Sequence, residues 1–255
     1  MRTLLLFILG ITSWITFSGL SPADPNAKPT LCILGGTPST KDIVHLIPDS
    51  IRSRYNVISF NRPGFGGSEN GMLSIEKLVE LAKAAGLKKS DYGIIGVSGG
   101  GPMAVLLADK LKLKHCGVIS GMVSKEAFFK YGDKAVTKGI MESALGDYKD
   151  FERAALRFPN IDEIVKQAGA SSKEIALRAC YDEFNFILTD KLFPTDKKNL
   201  LSVDWWHGEH DANVPIQSAE LFLSNFPNAR LKRIPDASHA IDANVYISKL
   251  LSEWM

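Results

Sequence analysis

Residues 92–112 read YGIIGVSGGGPMAVLLADKLK, an apolar run followed by a glycine-rich turn and an amphipathic run. Residues 92–97 have the composition of a strand that is buried on both faces. Residues 100–112 have the apolar spacing of a helix. The turn between them, residues 96–100, is a G-x-S-x-G motif. The segment therefore predicts a strand, a sharp turn and a helix, with Ser98 at the carboxyl end of the strand.

Apolar β-branched runs alternate with amphipathic runs from Thr30 onward, which is typical of parallel strands joined by helical crossovers. We therefore predict an α/β fold with a doubly wound, mostly parallel sheet of about six strands and helices on both faces. The predicted strands are residues 31–34, 56–60, 92–97, 116–120, 202–206 and 230–234. The predicted helices are residues 41–54, 74–85, 100–112, 216–225 and 241–254.

The stretch from residue 121 to about residue 200 interrupts this alternation and is helical in composition. We predict that residues 122–199 form an inserted helical lid over the carboxyl edge of the sheet, within a domain of residues 30–255. Its aromatic residues predict an apolar acyl pocket, although packing of the lid helices is the stronger interpretation for any one of them. They are Phe128, Phe129, Tyr131, Phe151, Phe158, Tyr181, Phe184 and Phe186.

Residues 1–23 have the composition of an export signal. Arg2 precedes an apolar run over residues 4–20, and Ser21-Pro22-Ala23 offers a small-residue cleavage site. The run is longer than most cleaved signals, so an uncleaved membrane anchor is the alternative. We expect export to the periplasm or the medium, or association with a membrane through residues 4–20.

Charge and cysteine content exclude several functional classes. The chain has 30 basic and 28 acidic residues, a formal net charge of +2, and its basic residues are not clustered as a nucleic acid would require. We therefore expect no nucleic-acid partner. Cys32, Cys116 and Cys180 are an odd number, and the first two fall in predicted buried strands, so we interpret them as core thiols and not as a disulfide framework.

Ser98 has the setting of a nucleophile. A serine at a strand-to-helix turn lies beside the free N–H groups at the helix start, which stabilise negative charge. Side chains two positions before and after it would collide with the strand and the helix, and those positions are Gly96 and Gly100. A phosphate-binding turn is the alternative, but the segment has neither a G-x-G-x-x-G pattern nor the lysine of a P-loop.

A serine hydroxyl needs a base to take its proton, and the base needs an acid to orient it. Asp211 follows the predicted strand 202–206, and His239 follows the predicted strand 230–234. All three residues then lie at the carboxyl edge of the sheet, in the chain order serine, acid, histidine. We predict that Ser98, Asp211 and His239 form a catalytic triad.

Other side chains compete for these roles. Glu209 and His210 are close to Asp211 in the chain, but neighbouring side chains point in different directions. Asp236 fits a turn, and His45 and His115 fit surface or packing positions.

These segments resemble those of the α/β-hydrolase family, over nearly all of residues 30–255 apart from the lid. Residues 96–100 match the family's nucleophile elbow, Asp211 matches its acid in an H-G-x-x-D-x-x-V-P segment, and His239 matches its base in a short Ser-His segment. The resemblance implies the α/β-hydrolase fold.

Residues 61–68, NRPGFGGS, resemble the family's D-R-P-G-x-G-x-S loop, with Asn61 where aspartate is usual. We interpret this loop as structural, because its glycines allow a tight path and Arg62 is expected to bond backbone carbonyl groups.

Residues 34–38, LGGTP, resemble the family's H-G-x-P oxyanion loop, with Gly35 in place of histidine. The resemblance implies that the Thr37 and Gly99 N–H groups stabilise the oxyanion. Loss of the histidine is expected to loosen the loop while leaving these backbone donors in place.

The resemblance implies a serine hydrolase of short or medium-chain carboxylic esters that forms an acyl-enzyme on Ser98. Its partner is a small-molecule acyl substrate, and it needs no metal or organic cofactor. Amide, peptide and carbon–carbon bond hydrolysis use the same triad and stay open. A non-catalytic ligand-binding protein on the same fold is a further alternative, against which the complete set of Ser98, Asp211 and His239 argues.

Overall fold

A computed structural model of the chain describes residues 27–158, 160–189, 192, 202–239 and 243–255. Within these residues, six strands form one sheet in the order β2-β1-β3-β4-β5-β6, and every neighbouring pair is parallel. The predicted doubly wound parallel sheet is confirmed. The strands are β1 Thr30–Leu34, β2 Asn56–Ile58, β3 Gly93–Val97, β4 His115–Ile119, β5 Val203–Gly208 and β6 Ala229–Ile234.

The direction of winding reverses between β1 and β3. The chain passes from β1 to β2 toward one edge of the sheet and from β3 to β6 toward the other. Connections that leave two neighbouring strands in opposite directions open a crevice at the carboxyl ends of those strands. Leu34 and Gly96 are paired in register at this point. The loops that follow β1 and β3 therefore enter the crevice side by side.

The connections between the strands are helical. In the described part of the chain, two short 3-10 helices cover Lys41–Leu46 and Gly132–Lys134. The α-helices are α1 Asp49–Arg52, α2 Ile75–Ala84, α3 Gly100–Leu111, α4 Lys125–Tyr131, α5 Lys138–Ala144, α6 Tyr148–Ala155, α7 Ile161–Ala168, α8 Lys173–Leu188, α9 Ile216–Leu223 and α10 Ala243–Glu253.

The prediction of a single helix over residues 41–54 is wrong. The structure has the 3-10 helix Lys41–Leu46, and then α1 after Pro48. Proline has no N–H to donate and forces the residue before it out of helical conformation. Ile47 accordingly has an extended backbone, with a ψ angle of 131°. The break follows from Pro48, although the apolar pattern continues across it.

Successive residues of each strand face opposite sides of the sheet, and both sides are buried. Leu31 and Ile33 of β1 pack in one cluster with α1 and α10. Cys32 and Leu34 pack in another with α2, α3 and α9. Helices therefore cover both faces, as predicted. All three cysteines are buried free thiols, and burial raises the pKa of each.

Helices α4 to α8 connect β4 to β5, and we call them the helical insertion. The described part of this segment is helical, as expected from its composition, and its role as a lid stays a prediction. The export signal or anchor predicted over residues 1–23 lies outside the described residues. Among the residues that are described, no helix has the length and the apolar composition needed to cross a membrane.

Candidate active site

Ser98 occupies a tight turn between β3 and α3. Its φ angle is 49°, in the left-handed region that residues other than glycine rarely adopt. A Cβ atom on Gly96 would overlap the carbonyl oxygen of Gly100, and one on Gly100 would lie 2.6 Å from the carbonyl oxygen of Leu34. Both obstacles are backbone atoms, so neither position can hold a larger residue without moving the chain. The turn brings Ser98 to the start of α3.

The structure brings Ser98, His239 and Asp211 into one hydrogen-bonded chain. Ser98 Oγ lies 3.0 Å from His239 Nε2, and His239 Nδ1 lies 2.8 Å from Asp211 Oδ2. An ionised carboxylate can only accept, so Nδ1 carries the proton of the imidazole. Nε2 is then free to accept the serine hydroxyl proton. The arrangement can therefore move a proton from Ser98 to His239.

The Asp211 carboxylate is buried and held from several directions. Burial alone raises its pKa, but hydrogen bonds from His207, His239 and the Val214 N–H outweigh burial and hold the pKa well below its ordinary value. Its Oδ1 accepts from the N–H groups of Asn213 and Val214 at 2.9 and 2.8 Å. Asp211 is therefore charged at neutral pH and fixed in its orientation toward His239.

Thr37 and Gly99 lie against each other beside Ser98. A Cβ atom on Gly99 would lie 3.2 Å from the nitrogen of Thr37, and a Cβ atom on Gly36 would lie 3.5 Å from Ser98 Oγ. Neither the Thr37 N–H nor the Gly99 N–H donates a hydrogen bond to another residue that the structure describes. Two unused backbone donors therefore lie close together beside the Ser98 turn. Such donors can stabilise an oxyanion.

No protein-family model matches the chain, and no curated protein matches it. A marine microorganism esterase of known structure is 20% identical, with a TM-score of 0.64 over 90% of this chain and 96% of the esterase. An alpha/beta hydrolase enzyme from a Medee basin deep-sea metagenome library is 17% identical, with a TM-score of 0.62 over 90% of each chain. A 2-hydroxy-6-oxo-6-phenylhexa-2,4-dienoate hydrolase from Rhodococcus sp. is 18% identical, with a TM-score of 0.59 over 89% of this chain and 90% of that one. This chain has the α/β-hydrolase fold.

Three of the side chains that compete with the predicted triad have other partners in this α/β-hydrolase fold. His210 and Asp236 approach each other to 3.6 Å on the surface. His115, at the start of β4, stacks on Trp254 with 4.8 Å between the ring centres. Among the described residues, no group of three or more His, Cys, Asp or Glu side chains is placed to hold a metal ion.

His207 is a contact of Asp211 that sequence reasoning missed. Its Nδ1 accepts from the indole N–H of Trp205 at 3.2 Å, so its proton is on Nε2. That Nε2 lies 2.8 Å from the Val214 carbonyl oxygen and 3.2 Å from Asp211 Oδ2. Its single Nε2 proton faces the Val214 carbonyl oxygen, and His207 is a second polar neighbour of the Asp211 carboxylate besides His239. The H-G-x-x-D pattern contained this residue, but not the direction of its side chain.

Glu183 of α8 is the second residue that sequence reasoning missed. Arg62 bonds a backbone carbonyl, as interpreted from the sequence, since its Nη2 lies 2.7 Å from the Gly36 carbonyl oxygen. The same guanidinium also pairs with the Glu183 carboxylate inside the protein. A single glutamate in a helical segment offers no sequence signal for such a contact.

An apolar cavity of about 210 Å³ lies beside Thr37 and Pro38 in the loop after β1 of this α/β-hydrolase fold. Thr37 borders it on one side and Asn213 on another, and the helical insertion provides most of the remaining wall. No charged side chain is present among the described residues that line it. Because Thr37 lines the cavity and also lies against Gly99 beside Ser98, the cavity is close to the Ser98 turn.

Proposed function

We propose that this protein is a serine hydrolase that cleaves carboxylic esters through an acyl-enzyme on Ser98. The observation that carries the proposal is the hydrogen-bonded chain from Ser98 to His239 to Asp211, with distances of 3.0 and 2.8 Å. This arrangement activates a hydroxyl group, and a protein that only binds a ligand has no need of it. Structures of the same fold include esterases and other hydrolases, which agrees with the proposal.

Acylation begins when Ser98 Oγ attacks the ester carbonyl carbon and His239 Nε2 takes the hydroxyl proton. The carbonyl oxygen becomes negatively charged and accepts hydrogen bonds from the N–H groups of Thr37 and Gly99, each worth about 3 kcal/mol in enzymes of this chemistry. The bond to the alcohol oxygen then breaks, and His239 gives its proton to that oxygen. The acyl group stays on Ser98.

Deacylation repeats these steps with water. His239 takes a proton from a water molecule as the water oxygen attacks the acyl carbon. The bond to Ser98 Oγ breaks, the proton returns to Oγ, and the carboxylic acid leaves. Asp211 stays ionised and stabilises the imidazolium that forms in both halves of the reaction. Water is the sole co-reactant of these steps.

A fluorophosphonate probe tests the reaction class. We expect the wild-type protein to be labelled on Ser98, because the probe reacts with a serine whose proton is taken by a base. Peptide mass spectrometry identifies the labelled residue.

Ser120 provides a matched control for the labelling. It too directly follows a strand, has a φ angle of 46° and is buried, but its hydroxyl has no hydrogen-bond partner among the described residues. A Ser120→Ala variant should therefore be labelled like the wild type. Absence of labelling on the wild-type protein, or labelling at a serine other than Ser98, would rule out the proposal.

The cavity favours esters whose acyl group is small and uncharged. Its volume of about 210 Å³ is below the roughly 300–1,000 Å³ of pockets for drug-sized ligands. A substrate carboxylate placed there would lose its hydration without gaining a cationic partner from the described lining residues. This argues against substrates like the dienoate of the Rhodococcus enzyme's name. Butanoate and hexanoate esters should be hydrolysed faster than a succinate monoester.

Ala155→Phe tests whether the cavity holds the acyl group. Ala155 is buried at the end of α6 and lines the cavity, so a phenylalanine there fills part of the space. We expect kcat/KM for a hexanoate ester to fall about 10-fold to 100-fold, the usual effect of losing one or two methylene contacts, while an acetate ester changes little. Rates on p-nitrophenyl esters measure both values.

Leu156→Phe is the matched control. Leu156 is the next residue, is half exposed and does not line the cavity. It should keep the wild-type preference for chain length. Equal losses on both esters in Ala155→Phe would contradict the role of the cavity as an acyl pocket.

A further inference from the structure

A buried ion pair lies behind the oxyanion loop. Arg62 and Glu183 are 1% and 2% exposed. Arg62 Nε lies 2.5 Å from Glu183 Oε2, and Arg62 Nη2 lies 3.1 Å from Glu183 Oε1. The pair is therefore bidentate, which fixes the plane of both groups. It joins the loop after β2 to α8 of the helical insertion.

Both members of the pair also bond the oxyanion loop. Arg62 Nη2 donates to the Gly36 carbonyl oxygen at 2.7 Å, and the Thr37 hydroxyl donates to Glu183 Oε1. Within the described part of the chain, Gly36 and Thr37 make no backbone-to-backbone hydrogen bond of their own. The ion pair thus supplies the polar contacts of two consecutive residues, and the second of these carries an oxyanion donor.

Stability alone does not account for this arrangement. Two buried charges lose their hydration, and exchanging such a pair for apolar residues of similar volume is often neutral or stabilising. The charged groups instead fix the orientation of the hydrogen bonds to the loop, because a guanidinium and a carboxylate hold their partners at fixed angles. Directional support is needed at this position, since the Thr37 N–H is effective only within a few tenths of an ångström of its place.

We propose that Arg62 and Glu183 are positioning residues that hold the Thr37 N–H in place for the oxyanion. This inference rests on the proposed serine hydrolase function. It means that α8 of the helical insertion sets the geometry of the reaction, although none of its residues belongs to the Ser98, His239 and Asp211 chain.

Thr37→Val tests the inference with the smallest change. Valine keeps the shape of threonine and the backbone N–H, and it removes the hydroxyl that bonds Glu183. We expect kcat to fall about 10-fold to 100-fold with KM nearly unchanged, because the loss is felt only when the oxyanion forms. Thr37→Ser restores the hydroxyl and should recover most of the activity.

Glu183→Gln tests the other side of the contact. It keeps the shape of the side chain, removes the charge and leaves Arg62 buried without its anion, so kcat should fall at least as far as in Thr37→Val. Glu80→Gln is the matched control, since Glu80 forms an exposed ion pair with Lys77 at 2.8 Å on α2. It should keep wild-type kcat.

A boronic acid inhibitor separates positioning from packing. Its tetrahedral adduct with Ser98 places an oxygen where the oxyanion forms, so Thr37→Val should weaken its binding by the same factor as kcat. Wild-type kcat and boronate affinity in Thr37→Val would overturn the inference even if Glu183→Gln failed to fold. A lower Tm in Glu183→Gln with unchanged kcat would also overturn it. A wild-type protein that hydrolyses no ester would instead overturn the proposed function and this inference with it.

Discussion

Ser98→Ala is expected to lower kcat for ester hydrolysis by about 10⁶-fold, because no oxygen remains to form the acyl bond. The methyl group of the alanine fits the same space, and the contacts of His239 and Asp211 with each other do not involve the serine side chain. The fold should therefore be unchanged. The measurement is the initial rate on p-nitrophenyl hexanoate with purified protein, together with loss of fluorophosphonate labelling.

Ser98→Gly separates loss of chemistry from loss of structure. The φ angle of 49° at this position is strained for any residue with a Cβ atom and unstrained for glycine. Ser98→Gly should be as inactive as Ser98→Ala and should melt a few degrees higher than it, since relief of about 1 kcal/mol shifts Tm by that much. Wild-type turnover in either variant would contradict the assignment of Ser98.

Asp211→Asn is expected to lower kcat by about 10⁴-fold with a smaller change in KM. Asparagine fits the same space, but it carries no charge to stabilise the imidazolium, and its NH₂ group favours the tautomer of His239 that holds no free Nε2. The initial rates of purified protein on the same ester measure the effect.

Asp204→Asn is the matched control. Asp204 is buried like Asp211, but it lies within β5 and bonds Arg230 and Trp254 away from Ser98. It should lose stability and keep kcat. An Asp211→Asn variant with kcat near the wild-type value would show that Asp211 does not orient the base.

The lowered pKa of Asp211 also predicts how stability responds to acid. A carboxyl group whose pKa is lower in the folded state than in the unfolded state stabilises the fold at pH values above its ordinary pKa. That contribution is lost as the pH falls toward the folded-state value. The difference in Tm between the wild type and Asp211→Asn should therefore shrink as the pH is lowered from about 6 to about 3.

The sequence predicted the features whose cause is local. Residues 96–100 required a turn because their glycines and serine stand between an apolar strand pattern and a helical one. Asp211 and His239 could be placed because each follows a strand pattern, and parallel strands end at the same edge. The helix over residues 41–54 was predicted wrongly because its apolar spacing was given more weight than the missing N–H of Pro48.

Contacts between distant segments were out of reach of the sequence. Arg62 and Glu183 are 121 positions apart, and nothing in either segment indicates that they meet. His207 and His210 are both near Asp211 in the chain. Which of the two lies against Asp211 depends on where β5 ends. His207 lies within the strand and is fully buried, while His210 lies beyond it and is exposed.

Helix α8 has a consequence for protein engineering. Leu177, Cys180 and Phe184 line the cavity from one face of this helix, and Glu183 lies next to Phe184 in the chain. A chimera that takes its insertion from another hydrolase in order to accept a different acyl group would also lose Glu183. Arg62 would then be a buried cation without an anion. Selectivity can be transplanted here only if the donor helix brings a glutamate at this position, or if Arg62 is redesigned in the same step.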